Sequence, residues 1–455
     1  MTATTRGRLS RDELLLLIDR DEVDTVILAI TDLQGRLQGK RVDARFFADD
    51  LAGGVVEGCS YLLASDVDMR TVDGFALTSW ERGYGDLAFK ADFSTIRRVP
   101  WFDKTVIIFC DVETTDGAPV APSPRQVLQR QVRRLAERGW YGLTGTELEF
   151  IVFNTSYEDA WSSGYRHMVP ANQYNVDYSL QGTSRVEPLL GRIRRSMRDA
   201  GMVVESVKGE CNYGQHEVAF KYATLVDKCD EHGLYKLGAK EIAAQEGQSL
   251  TFMAKYDERE GNSCHIHLSL RDEHDHPVFA GDGDHGMSPL FQHFLAGQLA
   301  YGRELSLLLA PNINSYKRFV EGSFAPTALL WGIDNRTCAF RVVGHGPSIR
   351  FECRVPGGDV NQYMAVAALV AAGLRGVDEG LELAPAFAGN AYAADAPRVP
   401  TTLREAMELF DASAVARDAF GDEVVDHYVQ AARVEVDTFN AAITDWERYR
   451  GFERL

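Results

Sequence analysis

The stretch "GTELEFIVF" at residues 145–153 decides how the rest of the chain is read. It is apolar and β-prone and contains no proline, so it predicts a strand. Side chains alternate along a strand, which places Glu147 and Glu149 on one face, where like charges repel. Either that face is wet, or something positive sits between the two carboxylates.

Three further segments repeat the pattern. In "SCHIHLSL" (263–270), His265, His267 and Ser269 oppose Ile266, Leu268 and Leu270. In "IRFECRV" (349–355), Arg350, Glu352 and Arg354 oppose Phe351, Cys353 and Val355. For one strand taken alone, the solvated face of an antiparallel sheet is the ordinary explanation. "ESVKGECNYGQHEVAF" (205–220) adds Glu205, Glu210 and Glu217. Glu210 and Glu217 are separated by an odd number of residues, so one straight strand cannot present both on one face. A turn at Asn212-Tyr213-Gly214 is expected between them.

Gathered at one place, Glu147, Glu149, Glu210, Glu217 and Glu352 would repel one another strongly away from water. Hard divalent cations with oxygen ligands relieve such a cluster, and the single imidazole of His265 is compatible with Mg²⁺ or Mn²⁺. Structural zinc fits poorly, since no cysteines are paired in sequence. Arg318, Arg336, Arg341, Arg350 and Arg354 crowd the same region, and guanidinium suits phosphate and carboxylate. Carboxylates, metal and arginines together suit phosphoryl transfer, although no Walker A or kinase glycine-rich loop is present.

The 455 residues carry a net charge of −18, with 45% hydrophobic and 25% charged residues. That balance suits a globular enzyme and argues against non-specific binding to nucleic acid or anionic membrane. Seven cysteines with no C-x-x-C pair suggest a reduced, cytoplasmic setting. The apolar run "MAVAALVAAGL" (364–374) is too short to span a bilayer, and the N-terminus has no secretory core. Its "LLLLI" reads as a helix, with Ser10 as N-cap and Glu13 completing a capping box.

The chain reads as α+β. A small unit spans 1–113, and a larger one spans 114–455 after the linker "TTDGAPVAPSP" (114–124). The larger unit opens on a helix capped by Ser123, with Pro124 first and Gly139 as its stop. Strands are expected at 202–207, 216–222, 264–270, 337–343 and 349–355. Helices are expected at 185–200, 228–246, 288–309, 361–375, 402–411 and 422–448.

From about residue 20 to the C-terminus the motifs resemble the glutamine synthetase superfamily. They are the Glu147/Glu149 strand, "GQHE", "GNSCHIHLSL", "NSYKRF…APTALLWGIDNRT" and "RFECRVPGGDVNQYMAVAAL". The resemblance implies a β-grasp-like N-terminal domain and a catalytic domain whose curved sheet forms a funnel, with ATP at one end and glutamate at the other. It implies rings, usually two stacked hexamers forming a dodecamer, with sites completed between subunits. It assigns Glu149, Glu210 and Glu217 to one divalent ion and Glu147, His265 and Glu352 to another, with two or three Mg²⁺ or Mn²⁺ per site. Arg318, Arg354, Asn262 and Gly261 match glutamate binders, and Arg336, Arg341 and Arg350 match phosphate contacts. Glu205, His267 and Ser269 match nucleotide contacts, with Tyr222 near the adenine.

The sequence departs from that pattern at one instructive place. Ammonia-using members carry a glutamate just before Ala-Pro in the lid segment; here Ser323-Phe324 stand there. Removing an anion and adding an aromatic disfavours a compact ammonium and favours an amine with a carbon body. The chain therefore resembles the branch that joins polyamines or monoamines such as ethanolamine to the γ-carboxyl of glutamate. Two alternatives stand beside it: an ammonia-using synthetase, and an inactive ring-forming member. Glu57, Asp66 and Glu321 are candidates to replace the missing proton acceptor, whose identity the sequence leaves open. Tyr392 reads as an exposed loop tyrosine, with nucleotide attachment there as the alternative.

Overall fold

The computed structural model describes residues 6–51 and 53–455, so the first five positions of the N-terminal unit and residue 52 lie outside it. Its first sheet contains β1 (Thr25–Thr31), β2 (Leu37–Asp43), β3 (Val55–Cys59), β4 (Asp86–Ala91), β5 (Arg97–Arg98) and β6 (Thr105–Thr114). The order is β2-β1-β6-β4-β3, with β5 against β6. β1 and β2 form the expected hairpin, turning at Gly35, whose φ of 78° suits a residue without Cβ. β1 then pairs in parallel with β6. The inward residues Val26, Leu28, Ile30, Val106 and Ile108 close a core with Leu14 and Ile18 of the first helix, whose Ser10–Glu13 capping box forms as expected.

The second sheet has nine strands. They are β7 (Trp140–Phe153), β8 (Val204–Gly209), β9 (Gln215–Phe220), β10 (Ala223–Thr224), β11 (Ser249–Thr251), β12 (Cys264–Asp272), β13 (Trp331–Ile333), β14 (Phe340–Val343) and β15 (Arg350–Cys353). The order is β13-β14-β15-β12-β7-β9-β8, antiparallel except for β13–β14, with β10 and β11 also on β7. Leu148, Phe150, Ile266, Leu268, Phe351 and Cys353 bury one face of this sheet in the main core. The helices Pro124–Ala136, Leu225–Gln245, Pro289–Tyr301 and Gln362–Glu379 contribute residues to that same core. The strand alternation therefore turns the charged residues toward the opposite face.

Two long helices expected from sequence are divided. The stretch 288–309 is a helix to Tyr301 and a short second one from Ser306 to Leu309, broken after Gly302. The stretch 422–448 ends at Ala441, and Thr444 begins a separate helix by forming its own capping box with Glu447. No helix among the described residues is long and apolar enough to cross a membrane.

Candidate active site

The register of the second sheet assembles two adjacent rows of polar groups. Across β8, β9 and β7, Lys208 opposes Glu217 and Glu217 opposes Glu149. Across β14, β15 and β12, Arg341 opposes Glu352 and Glu352 opposes His267, while His265 opposes Glu147 on β7. Glu210 follows β8 and reaches the first row because the chain turns at Asn212-Tyr213-Gly214, where Gly214 has a φ of 72°. Directly opposed carboxylates destabilise a sheet unless a cation intervenes.

Ligand atoms of Glu149, Glu210 and Glu217 lie within 4.8 Å of one another, as do those of Glu147, His267 and Glu352. His265 Nδ1 stands 3.3 Å from both Glu147 and Glu352, and its Nε2 is buried with no partner. His267 Nε2 stands 3.0 Å from Glu147. The sequence reading gave His265 alone to the second cation site; the structure brings His267 there as well.

The electrostatics fit cation binding. Burial and the neighbouring Glu147 raise the Glu217 carboxyl from 4.5 to about 8, against a smaller lowering by Lys208. Burial, the largest single influence on Glu147, acts to raise it too, but hydrogen bonds and charge attraction with His265 and His267 together outweigh it and hold the carboxyl well below the usual carboxylate range. Lys208 is ion-paired with Glu210 and lies 3.8 Å from Glu217, a protein cation at the position where these carboxylates need positive charge. An oxygen-rich set with one or two imidazoles fits Mg²⁺ or Mn²⁺.

Two cavities meet at Glu147. One, of about 480 Å³, is lined by Glu205, Tyr222, His267, Ser269 and Arg350, the residues matched to nucleotide contacts. The other, of about 240 Å³, is lined by the carboxylates of the first cation group together with Ser323, Phe324, Arg336, Arg341 and Arg354. Arg341 and Arg354 each hold Glu352, at 2.9 and 2.5 Å, and the Arg354 Nε is buried without a partner. Gly261 lines the second cavity.

Some assigned side chains are already engaged. Arg318 is fully buried and donates to the carbonyls of Val355 and Arg354 and to Ser263 Oγ. Asn262 donates to Thr251 and Met253 carbonyls and accepts from Gln215, which also reaches Glu149. Both brace the site rather than open onto it. Tyr392 is buried, not exposed: the residue is 8% accessible and its hydroxyl is enclosed, which corrects both readings of that loop. Reasoning from sequence passed over Lys208, Asp177 and Tyr178, all on the wall of the second cavity. Lys208 had a usable signal, because it is two residues from Glu210 and shares its face.

A family model described as glutamine synthetase, catalytic domain, matches residues 121–450. The γ-glutamylethanolamide synthetase GlnA4 of Streptomyces coelicolor is 61% identical over 98% of this chain and 96% of its own length. A glutamate–isopropylamine ligase of a Pseudomonas species is 36% identical over 95% of this chain and 96% of its own. Among solved structures, a GmaS/ADP complex superposes with a TM-score of 0.85 at 26% identity, covering 97% of this chain and 99% of that one.

Proposed function

We propose, for a chain that belongs to the glutamine synthetase family, that the amine co-substrate is ethanolamine or a primary monoamine of similar size. The enzyme is an ATP-dependent ligase that joins the γ-carboxyl of glutamate to an amine. The observation that carries the choice of amine is Phe324. It lines the same cavity as the carboxylates and Arg354, it is 54% exposed, and it occupies the lid position where ammonia-using relatives place an anion. A compact ammonium needs anionic contacts to replace its hydration, whereas an alkyl body gains by leaving water against an aromatic ring. The names of these two relatives, one giving an ethanolamide and the other isopropylamine, support the same reading.

The chemistry follows from the residues. A carboxylate is a poor electrophile, so ATP converts the γ-carboxylate into an acyl phosphate, which the amine attacks as phosphate leaves. Bound divalent cations would offset the repulsion between the two anions before they react. Arg336 and Arg341 line the second cavity, where they stabilise the transferring phosphoryl group. Arg354, held by Glu352 and itself braced by Arg318, orients the glutamate. Glu205, Tyr222, Ser269 and Arg350 hold the nucleotide in the first cavity, so that the phosphates reach the wall the two cavities share.

Several finer statements belong to the same proposal. Each site takes two or three Mg²⁺ or Mn²⁺ ions. The division at 113/114 separates a domain that completes a neighbour's site from the catalytic domain, and twelve chains assemble as two hexameric rings in the cytoplasm. The exposed apolar side chains Trp446, Tyr449, Phe452 and Leu455 at the C-terminus suit burial in such an assembly. The test is phosphate release from ATP, Mg²⁺ and glutamate with ethanolamine, isopropylamine, putrescine, spermidine and ammonium. Fastest release with ethanolamine is expected; equal or faster release with ammonium refutes the proposal.

A further inference from the structure

We infer that Lys208 sets the amine selectivity of the site by holding one fixed positive charge where the amine arrives, so that an amine with a second charge is refused. The inference rests on the reading that a monoamine enters the Phe324 cavity, and it names the residue that keeps diamines and polyamines out.

Lys208 lies on β8 opposite Glu217 and two residues before Glu210, so its stem rises from the face that bears the cation-binding carboxylates. Its ammonium is ion-paired with Glu210, lies 3.8 Å from Glu217 and stands 5.1 Å from the centroid of the Tyr178 ring. Tyr178 and Phe324 both hold left-handed backbone, with φ of 53° and 58°, and both rings are largely exposed on the wall of one cavity. Keeping non-glycine residues there costs energy and fixes where the rings point.

The cavity therefore offers two aromatic surfaces to a carbon body and already contains one ammonium group. A monoamine needs only one anionic contact as it enters. A diamine or polyamine brings a second ammonium beside Lys208, and like charges repel there. Without Lys208, Glu210 and the nearby Asp177 would be free to pair with that distal charge, and the same cavity would suit a polyamine. Lys208 also competes with a divalent cation for Glu210 and Glu217.

The test compares wild type, Lys208→Gln and Lys208→Arg in kcat/KM for ethanolamine and putrescine, with Mn²⁺ affinity measured by paramagnetic resonance titration. Lys208→Gln is expected to shift the putrescine-to-ethanolamine ratio toward the diamine by on the order of tenfold. Lys208→Arg keeps the wild-type ratio, and Lys208→Gln binds Mn²⁺ several-fold more tightly. An unchanged ratio in Lys208→Gln, with ethanolamine still used by wild type, overturns the inference and leaves the monoamine reading intact. Preference of the wild type for ammonium overturns that reading instead. If Lys208→Gln loses turnover with every amine, calorimetric binding of the two amines replaces the rates, and an unchanged binding ratio overturns the inference. Unchanged Mn²⁺ affinity together with an unchanged amine ratio places Lys208 outside the site and overturns the inference.

Discussion

Buried charge occurs in two places in this molecule, and the two are built on different terms. Where the helix Leu225–Gln245 meets the N-terminal sheet, every carboxylate has a basic partner. Arg125 holds Asp92, Asp111 and Asp230 at 2.8, 2.6 and 3.0 Å. Arg97 holds Asp227 and Glu231, Lys228 also holds Glu231, and the Tyr363 hydroxyl donates to Asp230. On the charged face of the second sheet the circuit stays open. Glu149 accepts only from Gln215 and the backbone of Ser263, and no lysine or arginine pairs with it among the described residues. Glu217 has one lysine at 3.8 Å and three carboxylates that repel it. A closed network locks two units of structure together; an open one leaves charge that the proposed divalent cations would complete.

The largest expected effect tests the closed network. Arg125→Met leaves Asp230 buried without a cationic partner, and should cost about 3–5 kcal/mol of stability in chemical denaturation. A loss below about 1 kcal/mol would erase the distinction between the two regions. Next comes the open network. Glu149→Gln should lower amide formation by about 10²–10³-fold while leaving the folded fraction and Tm of the metal-free protein unchanged or higher. A large drop in Tm would make Glu149 structural.

The pH dependence sharpens the same contrast. Glu217, raised to about 8, keeps its proton in the folded protein, whereas it ionises above about 4.5 once unfolded. Unfolding then releases a proton, so stability of the metal-free protein falls as pH rises from about 4.5 to about 8, by at most about 1.4 kcal/mol per pH unit. Below that window the contribution is fully present. Denaturation at pH 5 and pH 8 should show the fall, and Glu217→Gln should flatten it. The smallest effect is at the lid: Phe324→Glu should improve use of ammonium relative to ethanolamine by about tenfold, read as a ratio of phosphate-release rates.

Much of the site was legible because a strand has a period of two. Alternation alone placed Glu147 with Glu149, His265 with His267, and Glu352 with Arg350 and Arg354. The odd spacing of Glu210 and Glu217 announced the turn at Gly214. What alternation does not encode is which cross-strand neighbour a residue meets. The pairing of His267 with Glu352 across β12–β15, which brings a second imidazole to the cation site, therefore needed the structure. Nor does residue type say whether an arginine faces the cavity or props its wall: Arg354 lines it, while Arg318 is spent on carbonyls behind it. The burial of Tyr392 was hidden because nothing in its Ala-, Gly- and Pro-rich loop says that the ring packs inward. The helix breaks near 302 and 442 were masked by helix-forming residues on both sides.

The central claim is that the open cluster exists so that ATP can activate the γ-carboxyl of glutamate. Glutamate labelled with ¹⁸O in that carboxyl tests it directly, with ethanolamine, ATP and Mg²⁺ present and the released phosphate analysed by mass spectrometry. One labelled oxygen is expected to pass from glutamate to each phosphate formed. Unlabelled phosphate, with amide still produced, would contradict it.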